Sequence, residues 1–295
     1  MDVVLILVAG AFAVFNGVND GGSILATTLR TTTVRPVTAI VVLTTVVGAA
    51  PYVVGTQVAA TLLNRLAGFS GDGDALAFMI AVVSASAVVI VLARWGLPTS
   101  LTLALLGGIV GVGLGAGLPI AWQWVGIVLI LAALAPFAGL VLAIVVLRLW
   151  RVLPLRFPIG RQVRQGQRVG MVLQALAYGA NDGQKMLAVF AVALPLSSGT
   201  GGVVEPTFPV MLTISLLFAV GTLIGFRRYG ATIGSSIVPV TPVGSVTAQL
   251  ATASAVSATA AIGAPVSMTQ AVAGSLIGTA IGEGSSGRVR WTAAA

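Results

Sequence analysis

Apolar residues fall in long blocks along this chain, with polar residues confined to short gaps between them. The blocks cover roughly 3–29, 36–63, 75–95, 97–118, 121–147, 169–194, 208–226, 243–262 and 264–282. They are rich in Val, Leu, Ile and Ala. Most run about 20 residues or more, the length an α-helix needs to cross a bilayer core. Strands of a membrane barrel would be about 10 residues long and strictly alternating. The pattern predicts an all-α polytopic membrane protein. Only Asp2 precedes the first block, so that block lacks the basic start of a cleaved leader and reads as the first span.

Composition agrees. Of the 295 residues, 57% are apolar and 7% charged, against about 25% charged in soluble domains. A water-soluble chain could not cover its surface with so few charges. Cys and His are absent, which excludes disulfides, Cys/His metal centres and histidine acid–base chemistry. The sequence shows no nucleophile–base pair and no nucleotide-binding loop, so an enzyme is not expected. The net charge of +8 does not imply nucleic acid, because the basic residues cluster at the ends of spans.

Those basic residues set an orientation. Arg148, Arg151, Arg156, Arg161, Arg164 and Arg168 follow one another without an acidic residue, the mark of a cytoplasmic loop at 148–168. Counting outward places Arg30, Arg35, Arg227, Arg228, Arg288 and Arg290 on the same side. Asp2, Asp72, Asp74, Glu205 and Arg65 fall opposite. The N-terminus is then outside and the C-terminus cytoplasmic, provided 75–118 and 243–282 each return to the side they left. Two full spans or one re-entrant hairpin satisfy that equally.

The chain also repeats itself. Gly17-Val18-Asn19-Asp20-Gly21 matches Gly179-Ala180-Asn181-Asp182-Gly183. Gly96-Leu97-Pro98-Thr99-Ser100-Leu101-Thr102 matches Gly263-Ala264-Pro265-Val266-Ser267-Met268-Thr269. Gly107, Gly111 and Gly115 then match Gly274, Gly278 and Gly282. Three spans plus a returning hairpin separate the copies, and an odd number of crossings inverts the second. The expected organisation is a first repeat at 1–147, the basic loop at 148–168 and a second, inverted repeat at 169–295. Inverted repeats with interrupted helices characterise secondary transporters, whose substrate site lies near the midplane.

The repeated motifs have matching chemistry. Asp20 and Asp182 lie within apolar blocks, where a carboxylate costs about 3 kcal/mol and must face a cavity or a cation. The flanking glycines are expected to let the backbone leave helical geometry, freeing carbonyls to join the Asn and Asp oxygens around a small cation. A proton on either Asp is an alternative, and so is a purely structural polar cluster. Pro98 and Pro265 are expected to open helices as first-turn residues. Ser100, Thr102, Ser267 and Thr269 then stand where unpaired backbone N–H groups attract anions, with plain N-capping as the competing reading. The glycine rows are expected to pack helices closely. Lys185, the sole lysine, sits one turn after Asp182 and could pair with it or attract an anion. Arg94 either adds positive potential or reaches the interface.

Taken together, these motifs resemble the inorganic phosphate transporter (PiT) family. The two Gly-x-Asn-Asp segments are similar to its duplicated signatures. The two Gly-x-Pro-x-Ser segments are similar to its Gly-Leu-Pro-Val-Ser-Thr-Thr-His stretches, with Leu101 and Met268 at the first Thr and Leu103 and Gln270 at the His. Gly221-Thr222-Leu223-Ile224-Gly225, Thr232-Ile233-Gly234 and Thr241-Pro242-Val243-Gly244 also fit. The resemblance spans nearly the whole chain. It implies a cation-coupled phosphate symporter of the cell membrane, with re-entrant hairpins at 75–118 and 243–282. It also implies phosphate binding by Ser100, Thr102, Ser267 and Thr269 with the N–H groups of Leu101 and Met268. Asn19, Asp20, Asn181 and Asp182 would then serve the cation, sodium or proton, with Lys185 in support. No cofactor, no metal beyond a sodium site and no nucleic acid are implied. A counterpart of 121–147 in the second half is not seen: either the second half is incomplete, or a partner subunit such as a second copy fills the gap. Sulfate transport by the same fold and a degenerate, non-transporting protein are the alternatives.

Overall fold

The computed structural model describes residues 2–29, 34–67, 69, 74–95, 99–152, 158–194, 204–236 and 241–289. Arg30, Asp72, Gly96, Leu97, Pro98, Arg156 and Arg290, all used in the sequence reading, lie outside them. Among the described residues there is no strand, only an isolated antiparallel bridge between Ala67 and Ile120. The all-α prediction holds.

Helix α1 (Asp2–Asn16) runs through a π-helical turn (Gly17–Gly21) into α2 (Gly22–Leu29). Then come α3 (Pro36–Val54), the short α4 (Gln57–Ala60), α5 (Asp74–Arg94), α6 (Leu101–Gly115) and the long α7 (Trp122–Val152). The second half opens on α8 (Ile159–Tyr178), which passes through its own π-helical turn (Gly179–Gly183) into α9 (Gln184–Ala193). It continues with α10 (Phe208–Ser236), α11 (Pro242–Ala261) and α12 (Met268–Gly282). Among the described residues, five segments are long and apolar enough to cross a membrane: Val3–Gly21, Pro36–Val54, Asp74–Arg94, Trp122–Val152 and Phe208–Phe226. The protein is therefore multi-pass.

The two halves exchange partners. Helix α10 of the second half packs along α1, the first π-turn and α2, while α3 of the first half packs along α8 and the second π-turn. Glycine makes both contacts possible. A Cβ at Gly221 or Gly225 of α10 would strike the carbonyl oxygen of Val14 or Val18, and one at Gly17 would strike that of Phe218. A Cβ at Gly179 would likewise run into Ala50 and Val47 of α3. Bare backbone on both sides lets helix axes approach more closely than side chains permit.

Helices α5 and α6 lie side by side, as do α11 and α12, and α7 lies along both α11 and α12. Helix α11 carries a buried polar row, Ser245, Thr247, Gln249 and Thr252. Gln249 Nε2 donates to Thr28 Oγ1 at 3.1 Å and Gln167 Nε2 to Ser245 Oγ at 3.0 Å. Such a row is stable in an apolar protein only where other protein covers it and supplies partners.

Four expectations are revised. The glycines beside Asn19-Asp20 and Asn181-Asp182 do not unwind the chain. The residues flanking both turns keep right-handed helical angles, and the helix widens into a π-turn instead. Pro265 does not open α12. It lies ahead of Ser267, which is the N-cap, because the backbone stays extended until the hydroxyl residue. The basic stretch 148–168 is helical at both ends, α7 running to Val152 and α8 starting at Ile159. Helix α8 turns Arg161, Arg164 and Arg168 outward and buries Gln167, Gly170, Met171 and Gln174, so its buried stripe has the 3.6-residue period that sequence runs alone concealed. Among the described residues the first glycine row packs against no neighbour: none lies within 4 Å of a Cβ built at Gly107, Gly111 or Gly115, because α6 meets α5 through Gly108 instead.

Candidate functional site

The two Asn-Asp π-turns and the starts of α6 and α12 converge in the interior. Asp20 is 5% exposed, Asp182 2% and Lys185 0%. Asp20 lies within the electrostatic reach of both Asp182 and Lys185, and beside Tyr178. In each turn the asparagine amide holds the aspartate that follows it. Asn19 Nδ2 donates to Asp20 Oδ1 at 2.9 Å, and Asn181 Nδ2 to Asp182 Oδ2 at 2.9 Å. A π-turn offsets the helical register by one residue, which lets adjacent Asn and Asp both point inward.

The second turn is tied to the segment before α12. Asn181 Nδ2 donates to Val266 O at 2.6 Å, and Val266 N–H donates to Asn181 Oδ1 at 3.1 Å. This two-point clamp needs both ends of a carboxamide, which only Asn or Gln provides. The start of α6 reaches the same carbonyl: Thr102 Oγ1 donates to Val266 O at 2.9 Å. The two Pro-x-Ser segments, far apart in sequence, therefore touch. Lys185 closes the arrangement. Its Nζ donates to Asp182 Oδ1 at 2.6 Å, to Thr102 Oγ1 at 2.6 Å and to Val266 O at 3.1 Å.

The two helix starts supply hydroxyl and backbone donors. Ser100 is the N-cap of α6, and its Oγ accepts from Leu103 N–H at 3.3 Å. Ser267 is the N-cap of α12 but caps nothing; its hydroxyl pairs with that of Thr269 at 3.0 Å. Leu101 and Met268 open the two helices. Their N–H groups are among the first-turn donors that a helix leaves without partners. Two helix N-termini facing one buried centre make a positive, donor-rich wall suited to an oxyanion. Beside them stand two carboxylates and two carboxamides, whose oxygens are a donor set suited to a hard cation. Thr102, Asn181, Asp182 and Lys185 thus come together at Val266, next to Ser267, with Asp20 within electrostatic reach; Ser100, Leu101, Met268, Thr269 and Asn19 are their chain neighbours, and Arg94 ends α5 exposed.

Three contributors escaped the sequence reading. The Val266 carbonyl accepts from Asn181, Lys185 and Thr102, yet its side chain is an unremarkable valine. Gln184 Oε1 accepts from the N–H groups of Val58 and Ala59, at 2.7 and 3.3 Å, and so ties α9 to the start of α4. Tyr178 is fully buried beside the carboxylates. Gln184 and Tyr178 flank the Gly-Ala-Asn-Asp-Gly motif directly, and their polarity inside an apolar block was the signal available.

A multi-pass helical fold with a buried, charged polar centre suits a membrane transport protein. Comparison with known proteins carries this further. The model of the phosphate transporter family matches residues 16–173 and 157–295. A probable low-affinity inorganic phosphate transporter of Mycobacterium leprae (strain TN) is 30% identical over 98% of this chain and 71% of its own length. One of Rhizobium meliloti (strain 1021) is 31% identical over 97% of this chain and 87% of its own, and one of Bacillus subtilis (strain 168) is 26% identical over 98% and 87%. Among solved structures, the sodium-dependent phosphate transporter superposes with a TM-score of 0.78 over 95% of this chain and 90% of that one, at 17% identity. The chain belongs to the phosphate transporter family.

Proposed function

We propose that the protein carries inorganic phosphate into the cell by symport with a cation, Na+ or H+, through alternating access about the buried centre. The observation that supports this best is the meeting of the two Pro-x-Ser segments at the Thr102–Val266 contact of 2.9 Å, beside both Asn-Asp pairs. Phosphate binds between the starts of α6 and α12, held by Ser100, Thr102, Ser267 and Thr269 and by the N–H groups of Leu101 and Met268. The cation is served by Asn19, Asp20, Asn181 and Asp182. The names of the curated relatives favour phosphate, and that of the solved neighbour favours sodium.

The halves act as inverted repeats. Helices α6 and α12, at 15 residues each, are about 22 Å long, short of the roughly 30 Å hydrocarbon core. That favours re-entrant hairpins for 75–118 and 243–282. The exposed arginines at the end of α7 and along α8 favour a cytoplasmic 148–168 segment in the plasma membrane, with the N-terminus outside.

Uptake of radiolabelled phosphate into proteoliposomes, under an inward sodium or proton gradient, tests the reading. Saturable uptake that one of the gradients drives, and that falls at least tenfold in Asp20→Asn, is expected. Uptake of sulfate that excess phosphate leaves untouched would favour the sulfate carrier. No flux of either anion through a folded protein would refute transport.

A further inference from the structure

The sequence aligns Gly17-Val18-Asn19-Asp20-Gly21-Gly22-Ser23 with Gly179-Ala180-Asn181-Asp182-Gly183-Gln184-Lys185. The two copies therefore differ in charge: a lysine stands in the second where the first has a serine. The side chain of Lys185 is fully buried. An ammonium has three N–H donors and no acceptor, and three oxygens meet this one, Asp182 Oδ1 and Thr102 Oγ1 at 2.6 Å and Val266 O at 3.1 Å. The shell consists of a carboxylate, a hydroxyl and a backbone carbonyl. These are the oxygen types that hard metal cations choose. They come from three separate parts of the chain: the second π-turn, the first turn of α6 and the segment before α12.

A stabilising role alone is a weak account of this pair. Buried ion pairs recover their desolvation cost poorly, and apolar replacements often match them. The arrangement instead has the composition of a cation site whose occupant is attached to the protein.

We propose that the Lys185 ammonium is a resident counter-cation in the second copy, filling the oxygen cage that Asp182 would otherwise offer to a mobile coupling ion. Resting on the symport reading above, this narrows the travelling cation's ligands there to those of the first copy and makes coupling asymmetric. The ion that travels with phosphate uses the first copy, and Asp182 stays neutralised through the cycle by a charge that never leaves. Per phosphate, the protein then moves one positive charge fewer than the same site without the lysine.

The charge-to-phosphate ratio tests this. It is obtained from the membrane potential, clamped with potassium and valinomycin, at which net flux of labelled phosphate in proteoliposomes reverses. Lys185→Gln is expected to raise the ratio by one, because Asp182 must then recruit Na+ or H+ from solution. Lys185→Arg, a permanent cation, is expected to keep the ratio of the parent protein. An unchanged ratio in a transporting Lys185→Gln overturns the proposal. If that variant folds but does not transport, the pair Asp182→Asn with Lys185→Gln decides. Recovery of flux at the parental ratio supports a resident counter-cation, and continued loss in a folded protein overturns it. Absence of phosphate flux in the unaltered protein would count against the symport reading instead.

Discussion

Helices α6 and α12 start alike, each from a serine N-cap, and each carries glycine at every fourth position, but their surroundings differ. On α12, a Cβ at Gly274 or Gly278 would strike the carbonyl oxygen of Pro136 or Leu140 on α7, and one at Gly282 would lie 2.8 Å from Leu147 Cδ2. On α6, Gly107, Gly111 and Gly115 meet nothing within 4 Å among the described residues. A groove of about 400 Å³ lies there instead, bordered by Ser84 and Val88 of α5 and Ala104, Gly107 and Gly111 of α6. Helix α6 makes its close approach one residue over, where a Cβ at Gly108 would come 2.6 Å from Ala81 O. A glycine row thus permits a neighbour without specifying one. The same spacing serves as a sealed joint in one hairpin and an open face in the other.

Substitutions would break or sharpen this contrast. Gly278→Leu should have the largest effect, since its side chain has no room against the α7 backbone. A loss beyond about 3 kcal/mol is expected from overpacking, seen as loss of the monodisperse peak in detergent. Gly111→Leu, its counterpart on α6, should keep that peak. Ser275→Ala comes next. It removes the acceptor for Thr252 Oγ1, 3.0 Å away, at a cost of roughly 0.6–1.7 kcal/mol, typical of hydrogen bonds between membrane helices, read as a lowered Tm. Gly107→Ala should have the smallest effect, a gain of up to about 1 kcal/mol, because alanine favours a helix interior and meets no neighbour there. A drop in Tm for Gly107→Ala as large as for Gly278→Ala would abolish the distinction between the two faces.

Much of the architecture was legible in advance. The apolar blocks gave the helices, and the repeated motifs located both turns and both helix starts. What stayed hidden depended on partners distant in sequence. The spacing of Gly17 and Gly21 is compatible with unwinding or with close packing, and only the position of α10 decides for packing. Lys185 could be paired with Asp182 from sequence, one turn away, but its contacts with Thr102 and Val266 join residues more than 80 positions apart. Helix α11 read only as an apolar block at 243–262, yet its Ser, Thr and Gln row is enclosed by α2, α8 and α12. Hydropathy averages over faces, so it cannot distinguish a helix bathed in lipid from one wrapped in protein.

The carbonyl of Val266 belongs to the main chain, so exchanging its side chain for another apolar one leaves every donor that reaches it in place. Alanine scanning at this position would read only the loss of a buried side chain and nothing of the acceptor. Proline there would erase the N–H that Asn181 grips, and an ester in place of the following amide would weaken the oxygen itself. The junction of the two halves is thus written in backbone, where ordinary genetics cannot easily reach it.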